Sequence, residues 1–240
     1  TVELTLLHKD EEKTRDVKII RDVITVKSVQ TWIKKGKDID AIELDKKYDD
    51  ASIAYVSLSQ FGDNTNSEWL AAINEMNLKL SKTKVEGIIL DLRNNPGGYL
   101  TDAVFISSEF VEEGLDVVSE EDASGKSTLK ANRRGFLTDI PVVVLINKGS
   151  ASASEIVAGA LRDNNRATLV GETSFGKGTI QQAEDLGGGA GIHVTIAKWL
   201  TPNGTWVNGE GLKPDIEVKL DPKSPERDTQ LEKAVLELLK

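Results

Sequence analysis

An α/β fold built on a mainly parallel sheet is predicted by three features of the 240-residue sequence. Strand-like and helix-like stretches alternate from residue 51 to 171, the pattern of strands joined by crossover helices. One strand-like stretch, 140–147, is continuously apolar, as strands covered on both faces are, and another, 85–93, reads as a buried strand ending in polar residues. Each runs into a turn of small residues, followed by apolar positions at helical spacing. With 39% hydrophobic residues, the chain suits one large domain or one and a fraction. It has no cysteine and two distant histidines, so disulfides and thiolate metal sites are excluded and no metal or other cofactor is expected. A net charge of −9, with acids and bases interspersed, argues against a nucleic-acid surface. No apolar run reaches the roughly 18 residues of a membrane span.

In chain order, residues 1–22 read as two strands around a polar turn, a hairpin too small to be stable alone. Residues 23–50 are charged and read as short strands or a linker, with Trp32 as an anchor and 34–38 as a solvated turn. Residues 53–58 form a strand. Thr65-x-x-Glu68 gives a capping-box signal for a helix to about Ser81. The apolar strand 85–93 ends in Asp91 and Arg93, which read as charged supports at a strand's carboxyl end, where open α/β sheets place their sites. Asn94-Asn95-Pro96-Gly97-Gly98 then turns into a helix over 99–113. The diglycine either merely permits the turn or aims backbone N–H groups at a reacting carbonyl oxygen. Residues 116–119 and 127–131 form a hairpin, 167–171 a strand, 181–185 and 191–199 two more. Residues 201–205 make a turn, 211–218 close the core, and Asp228 caps a last helix.

The stretch that organises the chain is 149–181. Its start, Gly149-Ser-Ala-Ser-Ala-Ser154-Glu155-Ile156, lies between the buried strand and a short helix. Serines 150, 152 and 154 therefore sit near a helix amino terminus, where oxyanions are stabilised. Serines also simply cap helices, and without Gly-x-Ser-x-Gly this is no α/β-hydrolase elbow. Further on, Phe175-Gly-Lys177-Gly178 sets a lysine between two glycines that allow close backbone approach. A serine nucleophile needs a base. His8 lies in a charged terminal segment and His193 reads as a structural side chain of a strand. A lysine serves if it is neutral; in water roughly 1 in 2,500 is neutral at pH 7, and burial raises that fraction. Ser-Lys pairs are a variant of the triad.

Residues 149–156, Asp163, Arg166-Ala167, Val170-Gly-Glu172 and 175–181 resemble the carboxyl-terminal processing peptidases, or tail-specific proteases. In that family the second serine of Ser-Ala-Ser-Ala-Ser is the nucleophile. The base lysine stands 25 residues later and a glutamine four beyond it, which are here Ser152, Lys177 and Gln181. Leu-Asp-Leu-Arg-x-Asn-Pro-Gly-Gly (90–98) is also a family signature. The resemblance makes Gly97 or Gly98, with the Ala153 amide, the oxyanion donors. It gives supporting places to Asp91, Arg93, Glu155 and Asp163. It implies a crotonase-like (Clp-protease-like) spiral core over 51–220, a PDZ remnant at 1–22, linker or cap strands at 23–50 and a terminal helix at 221–240.

The implied activity is serine endopeptidase, without cofactor or metal, acting on proteins or peptides with unstructured C-terminal tails. The implied location is outside the cytoplasm, in the bacterial periplasm or cell envelope, and a homo-oligomer stays open. An inactive tail-binding relative and a crotonase-like acyl-thioester enzyme are the alternatives, and the second leaves the Ser152/Lys177 pair unexplained.

Overall fold

The computed structural model describes residues 1–22 and 27–240; the first four residues of the 23–50 segment lie outside the described residues. Two strands, β1 (Val2–Leu6) and β2 (Arg15–Ile19), form an antiparallel two-stranded sheet with Val2 opposite Ile19. β3 (Val29–Lys35) then lies antiparallel to β4 (Ser52–Leu58), where Trp32 stacks on Tyr55 with ring centroids 4.6 Å apart. β4 leads through α1 (Thr65–Leu80) to β5 (Gly87–Asp91), and β5 through α2 (Leu100–Ser107) to a hairpin, β6 (Asp116–Asp122) and β7 (Gly125–Lys130). The chain returns as β8 (Val142–Ile146), passes through α3 (Ala153–Asp163) to β9 (Ala167–Gly171), and forms a second hairpin, β10 (Thr179–Gly187) and β11 (Ala190–Leu200). A short strand, β12 (Ile216–Glu217), and α4 (Thr229–Leu238) follow.

The central sheet has the order β12-β9-β8-β5-β4-β3, and every pairing except β3–β4 is parallel. The mainly parallel α/β fold expected from the strand–helix alternation is therefore present. The second sheet, β10-β11-β6-β7, is antiparallel. β5 and β8 are buried along their whole length because alternate residues enter two different cores. Ile88, Leu90, Val142, Val144 and Ile146 pack with Trp69, Ile73, Ile106, Val157 and Leu161 of α1–α3. Ile89, Val143 and Leu145 pack with Leu231, Ala234 and Val235 of α4 on the opposite face. Each such aliphatic side chain contributes about 1.5–3 kcal/mol by leaving water, so this position selects strands whose interior is aliphatic, with Asp91 at the end of β5 as the polar exception.

Two local expectations are corrected. The capping box at Thr65 and Glu68 does not form. Asn64 is the N-cap without a side-chain bond, Thr65 Oγ1 accepts the Gly62 N–H at 2.8 Å, and Glu68 Oε2 instead accepts Ser28 N–H at 2.6 Å and its hydroxyl at 2.7 Å. A carboxylate that can tie down a distant strand gains more than one that caps its own helix. Secondly, α2 ends at Ser107 rather than near 113. Ser108 donates its hydroxyl to Val104 O at 2.7 Å, and the next amides tighten to bonds three residues back (Glu109 to Ile106, Phe110 to Ser107). Glu109 then turns inward, fully buried, to accept Trp69 Nε1–H, Arg133 and the Phe136 N–H. That satisfied inward carboxylate requires the helix to stop.

Candidate active site

Three neighbouring parallel strands, β5, β8 and β9, deliver loops 92–99, 147–152 and 172–178 at their carboxyl ends. The loops are knitted together by main-chain bonds. Ala151 N–H reaches Asn95 O at 3.0 Å and Phe175 N–H reaches Ser150 O at 2.9 Å. The sequence-predicted Ser152, Lys177 and Gln181 come from this meeting point and from the start of β10.

The structure separates the three serines. Ser150 is buried, donates its hydroxyl to Leu92 O at 2.8 Å and accepts Asn147 N–H at 3.0 Å. Ser154 is buried and donates to Asn95 O at 2.9 Å. Ser152 alone of the three is partly exposed. It is the N-cap of α3 with φ 55° and ψ −115°, a backbone conformation that side chains other than glycine rarely adopt. Its hydroxyl stays over the first helical turn, in a capping box with Glu155, and its own proton goes to no protein atom among the described residues. Two serines are thus framework, and one presents a hydroxyl to the cleft.

Glu155 joins this serine to the lysine loop. It is fully buried, and its carboxylate accepts four hydrogen bonds. Oε2 takes the N–H of Ser152 at 2.8 Å and the N–H of Lys177 at 2.9 Å. Oε1 takes the Ser174 hydroxyl at 2.5 Å and the Gly176 N–H at 2.7 Å. Carboxylate oxygens that accept N–H groups in a dry site make strong charge-assisted bonds. The spacing of the Ser152-loop and Lys177-loop backbones is therefore fixed by one side chain. The far side of the lysine loop is gripped by two indoles: Trp199 Nε1 donates to Lys177 O at 2.9 Å and Trp206 Nε1 to Gly178 O at 2.9 Å. Lys177 is held by its main chain while its amine reaches no carboxylate among the described residues.

Ser152, Lys177 and Gln181 line one cleft of about 240 Å³ together with Gly98, Tyr99, Leu100, Ile156, Thr179, Ile180, His193 and Trp199. The lining is about evenly polar and apolar, with Ser152, Lys177, Gln181 and His193 set among Leu100, Ile156, Ile180 and Trp199. Of the two candidate oxyanion glycines, only Gly98 remains available. The Gly97 N–H donates to Asn95 Oδ1 at 2.9 Å, whereas the Gly98 and Ala153 amides have no partner among the described residues. Gly97 has a packing role: at φ 92° its α-carbon lies against the nucleophile turn, and a Cβ there would come within 2.8 Å of Ser152 Cβ.

The supporting residues divide. Glu155 is at the centre. Asp91 and Arg93 are at the carboxyl end of β5, but their partners belong to the α4 face. Asp91 accepts the Tyr55 hydroxyl at 2.8 Å, and Arg93 bridges Asp91, at 2.6 Å, to Asp228, at 2.9 Å, with a further bond to Gln230. Burial, and then the Asp91 charge and its hydrogen bond, push the Tyr55 phenol above its ordinary range. Burial alone would lower Arg93, but its bonds to Asp91 and Asp228 outweigh it and raise its pKa. Asp163 lies at the other end of α3, roughly 16 Å along the helix from Ser152, where it holds Arg162 and the Asn203 N–H. It supports the 201–205 turn, not the cleft. Sequence reasoning missed Asn95, Ser174, Trp206 and the presence of His193 in the cleft. Asn95 stood inside a quoted motif, but the rest depend on cross-strand register and loop packing that no spacing encodes.

The chain matches the description of peptidase family S41 over residues 52–218. It is 39% identical over 220 residues to a carboxy-terminal-processing protease of Bartonella bacilliformis, covering 91% of this chain and 47% of that protein. It is also 39% identical over 175 residues to the carboxy-terminal processing protease CtpB of Bacillus subtilis, covering 73% of this chain and 36% of that one. Among solved structures it is similar to the photosystem II D1 C-terminal processing protease, with a TM-score of 0.69 at 35% identity, over 86% of this chain and 52% of that chain. The chain spans less than half the length of these two curated relatives.

Proposed function

The chain belongs to peptidase family S41, and from that premise we propose that it carries the catalytic part of a serine endopeptidase that cuts protein substrates near their C-terminal tails. The observation that carries the reading is that, of three serines at the α3 turn, only Ser152 keeps its hydroxyl proton undonated, and it shares one cleft with Lys177 and Gln181. Ser152 Oγ attacks the scissile carbonyl carbon as the neutral Lys177 amine takes its proton. The carbonyl oxygen, now negative, is met by the Gly98 and Ala153 N–H groups at the amino end of α3. The C–N bond breaks, and the proton on Lys177 passes to the departing amine. Water then attacks the acyl ester with Lys177 again as base, releasing the new carboxyl end and restoring Ser152. Gln181, on the cleft wall, orients the amine.

The finer architecture belongs to the same reading. The parallel strands β4, β5, β8, β9 and β12 lie side by side in chain order, which supports a spiral core of the crotonase kind. The β1–β2 hairpin pairs with no other strand among the described residues, which supports its belonging to a PDZ-type unit. Among the described residues no helix is long and apolar enough to cross a membrane. Action outside the cytoplasm and self-association are carried over from the resemblance. Labelling with a fluorophosphonate, run beside a peptide-cleavage assay, tests the activity. Label and cleavage are expected in the parent chain and absent in Ser152→Ala; cleavage retained by Ser152→Ala would overturn the assignment.

A further inference from the structure

Asn95 is fully buried in the turn before the diglycine, and every hydrogen-bonding group of its side chain and carbonyl is engaged toward a different part of the site. Nδ2 donates to Leu58 O at 2.7 Å, at the end of β4. Oδ1 accepts the Gly97 N–H at 2.9 Å. The main-chain carbonyl accepts Ala151 N–H at 3.0 Å and the Ser154 hydroxyl at 2.9 Å, on both sides of Ser152 in the chain. The side chain must give one hydrogen bond and take one at the same branch point. A carboxylate can only accept, and a hydroxyl is too short to reach both, so an amide is what the position demands.

The directions of the two neighbouring amides follow from the trans peptide geometry, in which N–H points opposite to the preceding C=O. Gly97 O accepts the Phe61 N–H at 3.0 Å, so the Gly98 N–H points away from the 59–64 loop, and Gly98 itself lines the cleft. Ser152 O accepts Ile156 N–H at 2.9 Å inside α3, so the Ala153 N–H points out of the helix's amino end. We propose that Asn95 is the positioning residue of the oxyanion site: by taking the Gly97 N–H and the Ala151 N–H together, it sets the diglycine against the nucleophile turn and leaves Gly98 and Ala153 as the donor pair. Asn95 touches no substrate; it acts through these two amides. This assignment rests on the peptidase reading above and deepens it.

The test is Asn95→Asp in the whole 240-residue chain. The carboxylate still accepts from Gly97 but turns an acceptor toward Leu58 O, so the turn shifts. Binding of a peptidyl aldehyde, whose adduct with Ser152 carries an oxyanion, is measured beside KM for the matching peptide substrate. A loss of aldehyde affinity of about 10²-fold, close to that of removing one oxyanion donor, is expected, with KM within about threefold of the parent. Parent chain that labels with fluorophosphonate, with Asn95→Asp binding aldehyde as tightly as the parent or losing aldehyde affinity and KM in equal measure, would overturn the role of Asn95 alone. A parent chain that neither labels nor cleaves would overturn the peptidase reading and this assignment with it. Should Asn95→Asp not fold, Ser154→Ala carries the test. It removes one bond to the Asn95 carbonyl, and aldehyde affinity is expected to fall about tenfold; unchanged affinity would overturn the proposal.

Discussion

Two polar clusters stand at the carboxyl ends of the same parallel strands, one on each face of the sheet. On the α4 face, Tyr55, Asp91, Arg93, Asp228 and Gln230 form a closed network in which the guanidinium has a partner in every direction. On the α3 face, Glu155, Ser174, Asn95 and two indoles are just as fully bonded, yet they hold in place a hydroxyl whose proton is undonated, an amine with no carboxylate partner and two amides with no acceptor among the described residues. The first cluster is the more charged. The second holds the groups to which the proposed chemistry is assigned. Electrostatic saturation marks a fastener, whereas reactivity requires groups left over after the fastening is complete.

The contrast breaks most sharply at the leftover groups themselves. Ser152→Ala and Lys177→Arg should each lower kcat/KM for peptide cleavage by about 10⁴-fold or more, with melting temperature preserved. A guanidinium cannot give up its proton at any usable pH, so an active Lys177→Arg would remove lysine from the reaction.

The opposite face should respond in stability rather than in turnover. Arg93→Ala leaves the buried Asp91 and the half-buried Asp228 without a counter-charge, which costs up to about 3–5 kcal/mol. Denaturant unfolding should report that loss, while the activity of the molecules still folded stays within a few fold. A collapse of turnover at full stability would mean that the α4 network reaches the cleft. Glu155→Gln sits between the extremes. The carboxamide turns two N–H donors toward a ring of donors, so the two loops move apart. A displacement near 1 Å can cost about 10²-fold in rate, read as kcat falling with KM nearly constant.

The smallest expected effect is at Asp102 on α2. Burial, only partly offset by the Asn66 hydrogen bond and reinforced by Asp63, raises its carboxyl pKa, and Oδ2 has no partner among the described residues. A raised folded pKa means that the native state holds its proton more tightly. The associated stability is fully present below the unfolded value of about 3.9 and is lost as pH rises through the folded value. Asp102→Asn should therefore raise the melting temperature at neutral pH by no more than about 2 °C, with the difference vanishing near pH 3.

Much of this was legible in the chain itself, and for identifiable reasons. Residues 88–90 and 142–146 read as buried strands because short aliphatic runs bounded by small and polar residues suit a strand covered on both faces. Ser152, Lys177 and Gln181 stood out through spacing. The sheet's two faces did not, because Asp91 and Arg93 belong to α4 only through Asp228 and Gln230, more than 130 residues away. Likewise, Glu68 satisfied a local capping rule yet bonded Ser28, 40 residues distant. Gly97 and Gly98 looked interchangeable until the Asn95 side chain distinguished them.

The backbone of Ser152, at φ 55° and ψ −115°, carries an evolutionary consequence. A serine there costs about 1–3 kcal/mol that a glycine would not. A population drifting under selection for heat resistance alone would therefore find Ser152→Gly among its easiest gains and, on the role proposed for Ser152, become inert by growing tougher. Keeping the serine is a standing trade of robustness for reactivity. A melting temperature of Ser152→Gly at or below the parent's would show that the turn carries no such tension.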